Sequence, residues 1–480
     1  MRRRALLPAL VALAALSRAP AAGAQPSRAE VLLTRCPSRE TLRASLLRYA
    51  DSARVADPAG AGEALYLAGA SCLRASLRDS AIECFRRADS LRHDPEDRLS
   101  LVDALLLRQG PGDLEAATAL LDPAGGDASY DFEARRAWVE FLAGRTAKSV
   151  EIFRRIQASF DLDPVWGYRM ARAFVEAGDV KRALTVLQPL AVASRQQDAE
   201  LMDLAERAFQ SFGNPVRLEN ELGRQISARD QSEGKLSQAL GGRRVRFTAP
   251  DGAALGAVLV PARRSAHPRA AVVLWAPRDT LASYDSLAVA LSGAGWAVLL
   301  MEARGSGWSA GPDCPFPEAW IGREDAMQSA CARDVHEALR VLAVAGHADT
   351  MRCLLAGVGP TAATAVEAAE LDRRVQALLL LSPAPDPVER GPMRERIHRL
   401  QRPIYFSGAP EDYLEFEVTN ALYQAGDRGA SRVADVSGAG TGARPFRDDL
   451  AAVRRLIAWL EETMPARAAT GSRPGAPRRR

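Results

Sequence analysis

At 480 residues the chain exceeds one ordinary core, and at about 100–200 residues per domain it predicts two or three. Apolar residues make up 47% and charged residues 25%, a globular balance that excludes wholesale disorder; no apolar run reaches the roughly 18 residues of a membrane span. Nine arginines lie in residues 1–24 and 466–480, so the net charge of +4 becomes −5 for residues 25–465, which excludes the basic footprint of a nucleic-acid binder.

Arg2, Arg3 and Arg4 precede an apolar stretch from Ala5 to Leu16, and Ala22, Gly23 and Ala24 follow. Charge, short apolar core and small residues predict a signal peptide over 1–24, cut after Ala24, and an exported protein, periplasmic or extracellular. That compartment permits disulfides. Among Cys36, Cys72, Cys84, Cys314, Cys331 and Cys353, the pair expected to bond is Cys314–Cys331, with buried free thiols the equal alternative. No spacing suggests a metal site, and no cofactor is expected.

Residues 25–235 predict an all-α helical repeat. One register recurs: Gly69 with Ala81, Phe85 and Ala88; Gly112 with Ala117, Leu121 and Ala124; Gly144 with Ser149, Phe153 and Ile156; Gly178 with Ala183, Leu187 and Leu190; Gly213 with Leu218 and Leu222. A period of about 34 residues with a small-residue turn in each unit resembles the tetratricopeptide repeat. In such a repeat the small residue lets two helices approach, and the large one a turn later fills the groove. A single unit leaves an apolar face exposed, so neighbours stack. The resemblance implies a solenoid that binds a protein or peptide partner.

A linker, 236–243, leads to an α/β domain over 244–465. Val245–Phe247 and Leu255–Pro261 flank the hairpin signal Asp251-Gly252. Ala270–Trp275 and Trp296–Leu300 are continuous apolar runs, as buried strands require. Helices are expected over 284–291, 334–344 and 450–460, and strands over 353–356, 375–381 and 404–406. The alternation implies a mostly parallel sheet covered on both faces. Glu302-Ala303-Arg304-Gly305-Ser306-Gly307-Trp308-Ser309, after the fourth strand, makes the resemblance specific. It is similar to the acid-x-Arg-Gly-x-Gly-x-Ser loop of α/β hydrolases, with serine peptidases and esterases the nearest kind and a short cap around 384–400. The tail, 466–480, is rich in Pro, Gly and Arg and is expected to be disordered.

The resemblance implies a nucleophile in Gly-x-Ser-x-Gly on a sharp strand–helix turn. Here the turn reads Gly357-Val358-Gly359-Pro360-Thr361, so Gly359 stands at the nucleophile position. Pro360, which should donate an oxyanion N–H, has none. The other donor loop reads Trp275-Ala276-Pro277-Arg278, Glu411 and Asp412 are the acid candidates, and Thr441 stands where the resemblance implies His. Loss of a triad member costs up to about 10⁶ in turnover. Gly307-Trp308-Ser309-Ala310-Gly311 matches the nucleophile pattern but follows the wrong strand. Gly357 to Ala362 matches a dinucleotide fingerprint without the acid that should end the next strand. A Gly-rich turn opening a helix presents N–H groups to an anion, so Gly357, Gly359 and Thr361 form a candidate anion or ligand site.

The expected function is therefore an exported binding or scaffold protein, joining a tetratricopeptide-like domain to a catalytically inactive α/β-hydrolase-like domain. The alternative is an active secreted serine hydrolase, esterase or peptidase, with unconventional catalytic residues such as Ser309 or Ser407. A purely structural brace is the third reading.

Overall fold

The computed structural model describes residues 27–121, 129–157, 164–194, 203–208, 224, 228, 231–263, 265–276, 280–311, 314, 320–435 and 442–466. The expected signal peptide, the fifth repeat's Gly213, Leu218 and Leu222, Thr441 and nearly all of the tail lie outside them.

The first half is helical. It runs α1 (Arg28–Arg35), α2 (Arg39–Ala53), α3 (Pro58–Arg74), α4 (Arg78–Arg92), α5 (Pro95–Arg108), α6 (Asp113–Leu121), α7 (Tyr130–Leu142), α8 (Thr146–Ile156), α9 (Pro164–Glu176) and α10 (Val180–Ser194). Successive helices pack on one another along this series. Ala81, Phe85 and Ala88, then Ala117 and Leu121, then Ser149, Phe153 and Ile156, then Ala183, Leu187 and Leu190 are all buried. The small residues divide into two kinds. Gly112, Gly144 and Gly178 sit at positive φ in the turns, where glycine carries no Cβ penalty. Gly69 lies inside α3, and a Cβ there would stand 2.7 Å from the Phe85 ring. The α3–α4 turn places Ser76, not glycine, at φ 62, and its hydroxyl donates to Gly322 O of the second half at 2.6 Å.

The second half is built on an eight-stranded sheet. Its strands are β1 (Arg243–Thr248), β2 (Ala254–Val260), β3 (Arg269–Leu274), β4 (Trp296–Met301), β5 (Asp349–Val358), β6 (Val375–Leu381), β7 (Ile404–Gly408) and β8 (Arg432–Asp435). The order is β1-β2-β4-β3-β5-β6-β7-β8, antiparallel at β1/β2 and β2/β4 and parallel elsewhere, consistent with an α/β-hydrolase fold. Helices α11 (Asp285–Gly293) and α17 (Leu450–Thr463), with the short α16 (Pro445–Asp448), cover one face. The other carries α12 (Glu324–Ala345), α13 (Thr361–Leu371), α14 (Arg390–Leu400) and α15 (Tyr413–Ala425). The expected helix over 334–344 begins earlier, at Glu324, with Glu324 and Asp325 in its first turn. The cysteines are unbonded and buried, so Cys314 and Cys331 are not joined. Their thiols meet backbone at Gly305 and Arg304 respectively. Among the described residues no helix is long and apolar enough to cross a membrane.

The halves meet through buried charge. Arg39 bonds the Glu389 carboxylate, which is 1% exposed. Arg74 reaches Asp325 at 3.1 Å, Asp386 at 3.4 Å and Gln328 at 3.3 Å. Val388 joins the helical core, and a Cβ on Gly391 would stand 2.5 Å from Leu33 O and 2.6 Å from Cys36 O. The segment 384–400, expected as a cap, is thus fastened to the helical half. Removing one partner of a buried ion pair costs about 3–5 kcal/mol, whereas exposed pairs contribute roughly 0–1. Arg74→Ala should therefore lower stability by about 3–5 kcal/mol, while Arg86→Ala, which breaks an exposed pair with Glu83, changes little. Urea midpoints of the two variants test the contrast, and equal shifts would contradict it.

Candidate functional site

The site is assembled at the carboxyl ends of β3, β5, β6 and β7. Strand β5 ends in a turn at Gly359, φ 57, and α13 follows at once. Gly357 makes this possible: a Cβ there would stand 2.7 Å from Ala362 Cα and 2.8 Å from Thr361 O, so only glycine lets α13 lie this close to β5. A Cβ on Gly359 would meet no described atom within 4 Å. The nucleophile position has the turn, the left-handed backbone and the space, but no side chain to use them.

Among the described residues, the two expected oxyanion-donor positions offer no free N–H. Pro360 adopts φ −65 and ψ −24 at the helix start, the geometry its ring favours, and has no N–H. The Ala276 N–H, after β3, donates to the Tyr284 hydroxyl at 2.8 Å. Gly359 N–H donates to Leu381 O at 2.9 Å and Ala362 N–H to Gly359 O at 3.2 Å. The Thr361 hydroxyl accepts from Val358 N–H at 2.8 Å and lies 2.9 Å from both Leu274 O and Val358 O. The Gly359 N–H and the Thr361 hydroxyl of the candidate anion site are thus already bonded within the fold, as is the neighbouring Ala362 N–H.

Neither acid candidate occupies the site. Glu411 and Asp412 are exposed, and Asp412 caps α15 by accepting from Glu415 N–H at 3.0 Å. The carboxylate that reaches inward is Glu415, which bonds the Ser382 hydroxyl and accepts from Ala409 N–H at 3.1 Å. Ser382 follows β6 at φ 46 and accepts from Gly442 N–H at 2.7 Å. Gly442 in turn lies against Val358, so the loop beyond β8 does reach the β5 turn. Ser382, Glu415 and Tyr284 escaped the sequence reading. The signal for Glu415 was present: Asp412 and Glu415 stand at the cap and third positions of a capping-box pattern, which turns the third side chain back toward the preceding loop.

Neither relocated serine is poised to react. Ser309 is fully buried, accepting from Gly256 N–H at 2.9 Å and donating to Glu302 O at 3.1 Å. Ser407 is fully buried, and its hydroxyl has no hydrogen-bond partner among the described residues. Arg304 is held by Asp334, at 2.6 Å to each oxygen, and by Asp251 at 2.8 and 3.0 Å. It braces the loop after β4. Glu302 accepts from Trp308 N–H. Among the described residues no cluster of three His, Cys, Asp or Glu could hold a metal ion.

No protein-family model matches the chain, and no curated protein does. Among solved structures, the chain is similar to the esterase domain of a Rhodothermus marinus protein, at 17% identity and TM-score 0.35, over 46% of this chain and 98% of that one. It is similar to an α/β hydrolase from Penicillium sp. at 15% identity and TM-score 0.36, over 47% and 99%. A hydrolase from Thermoplasma acidophilum matches at 14% identity and TM-score 0.37, over 46% and 100%.

Two predictions follow from this geometry. Gly359→Ala has room and bears only the left-handed backbone penalty of about 1–2 kcal/mol. Gly357→Ala must push α13 off β5 and costs more, at or above the upper end of the roughly 1–3 kcal/mol of overpacking. Denaturant unfolding of both variants would reveal a reversed order. The second concerns Glu415, whose carboxyl burial pushes above the ordinary range, against hydrogen bonds from Ser382 and Ala409. The folded chain therefore takes up this proton at higher pH than the unfolded chain. Its contribution to stability is greatest at low pH and is lost as pH rises through the folded pKa. As pH is lowered from neutral through the ordinary carboxylate range, wild type should gain stability relative to Glu415→Gln; parallel melts that shift equally would contradict this.

Proposed function

We propose that the chain is an exported binding or scaffold protein, in which a helical, tetratricopeptide-like half receives a protein or peptide and the α/β-hydrolase-like half serves as a non-catalytic body. The observation that carries this reading is Gly359: the turn that would expose a nucleophile holds none, although space remains for one. The absent N–H at Pro360 and the Ala276 N–H spent on Tyr284 support it independently, since hydrolysis also needs donors aimed at the developing oxyanion. The burial of Ser309 and Ser407 argues against those two serines as nucleophiles in the alternative reading, an active secreted hydrolase with unconventional catalytic residues.

The test is a fluorophosphonate probe on the mature protein from Gln25, read by peptide mass spectrometry, beside turnover of short-chain esters. The expected result is no labelled serine and no turnover above buffer, in a sample with a cooperative melt. Gly359→Ser should not restore turnover, because a new hydroxyl would still lack base and oxyanion donors. Stoichiometric labelling of one wild-type serine would overturn the reading.

A further inference from the structure

The six cysteines are not equivalent. Those at 314, 331 and 353 bond to backbone, at Gly305, Arg304 and Leu354 respectively. Cys72 of α3 and Cys84 of α4 bond instead to each other, thiol to thiol. Their place in the hairpin explains the contact. Gly69 lies one turn before Cys72, and Phe85, next to Cys84, packs on it at 2.7 Å from where a Cβ would stand. The two helices are thereby drawn together beside the sulfurs, and Tyr66 stacks on the same Phe85 ring at 5.8 Å. A disulfide needs this closeness, with Cα atoms about 4.4–6.8 Å apart. Both side chains are buried, so the bond would be closed as the hairpin forms or when it opens.

We propose that Cys72 and Cys84 are an oxidisable pair that closes a disulfide across the α3–α4 turn when a small-molecule or protein disulfide donor is present. Attack by either sulfur closes the same bond; Cys72 stands here for both. The hydrogen bond from Cys84 and then the Arg43 guanidinium hold its thiol below the ordinary range. Its thiolate attacks one sulfur of the donor, forming a mixed disulfide and releasing the first donor thiolate. The Cys84 thiolate then attacks the Cys72 sulfur and releases the second. The two thiol protons pass to the two released thiolates, so the cysteines lose two electrons and the donor gains them.

The bond has a consequence beyond the hairpin. The closed loop contains Arg74 and Ser76, which hold Asp325, Asp386 and Gly322 of the second half. Oxidation therefore fixes the hairpin that presents these contacts. The pairing does not depend on the function proposed above, and its test in vitro does not depend on export.

The full mature chain is equilibrated in a glutathione redox buffer, its free thiols are alkylated in denaturant, and its peptides are mapped without reduction. The expected result is one linked peptide pair, Cys72 with Cys84, lighter by two hydrogens than the two thiol peptides, with the other four cysteines alkylated. Oxidised protein should melt above the same protein treated with dithiothreitol, and Cys84→Ser should lose both the link and the shift. Alkylation of both Cys72 and Cys84 in folded, oxidant-treated protein would overturn the proposal, as would a Cys314–Cys331 link formed in their place.

Discussion

The architecture of the site depends on one close approach, α13 resting on β5 over Gly357. A Cβ there would sit 2.7 Å from Ala362 Cα, so the strand can turn directly into the helix only because residue 357 has no side chain. That turn holds Gly359 at φ 57, brings its N–H to Leu381 O, and fixes the end of β6 against the end of β5. Ser382 is placed by this pairing, and through it Glu415 and Gly442. The neighbourhood a catalytic triad would occupy is therefore a consequence of backbone packing. It persists without a nucleophile because none of its supporting contacts uses one.

A second constraint joins the halves. Glu389 is 1% exposed, and a buried carboxylate is tolerable only when it is paired and hydrogen-bonded. Its partner Arg39 comes from α2, and Arg74 of α3 covers Asp325 and Asp386 beside it. Burial pushes Asp325 upward, whereas Glu389 stays below the ordinary range because bonds and charge from Arg39 and Arg74 outweigh its desolvation. The two acids differ in how completely arginine surrounds them. Since Val388 also enters the helical core, the segment after β6 belongs energetically to both halves. The helical half is thus docked on the rim of the sheet rather than tethered to it.

Much of this was legible in sequence for a simple reason. Buried parallel strands are apolar on both faces, so Ala270–Trp275, Trp296–Leu300 and Val375–Leu381 announce themselves without knowledge of the fold. The missing side chain at Gly359 and the missing N–H at Pro360 were legible because they concern atoms the residues do not have, which no tertiary context can supply. What failed was telling which side chains in one loop or turn point inward. Glu411, Asp412 and Glu415 lie within one turn, and sequence alone does not say which side chain points inward. The structure turns Glu415 inward because Asp412 is spent on the helix cap. The cysteines show the same limit. Spacing around a Pro-rich loop favoured Cys314 with Cys331, whereas contact is decided by Gly69, a residue remote from either. The bond from Arg39 to Glu389 spans most of the chain and has no local trace at all.

The residues at the β5 turn leave the backbone unstrained. A serine held at φ 57 would bear a left-handed penalty of about 1–2 kcal/mol, strain of the kind that active sites keep because function requires it. Glycine at 359 has no such penalty. Proline at 360 is pre-set to the φ of −65 found there and has no N–H to leave unpaired at a helix start. The Tyr284 hydroxyl, bonded to Ala276 N–H, satisfies a donor that an oxyanion hole must leave waiting. At each of these positions the group present is satisfied or unstrained.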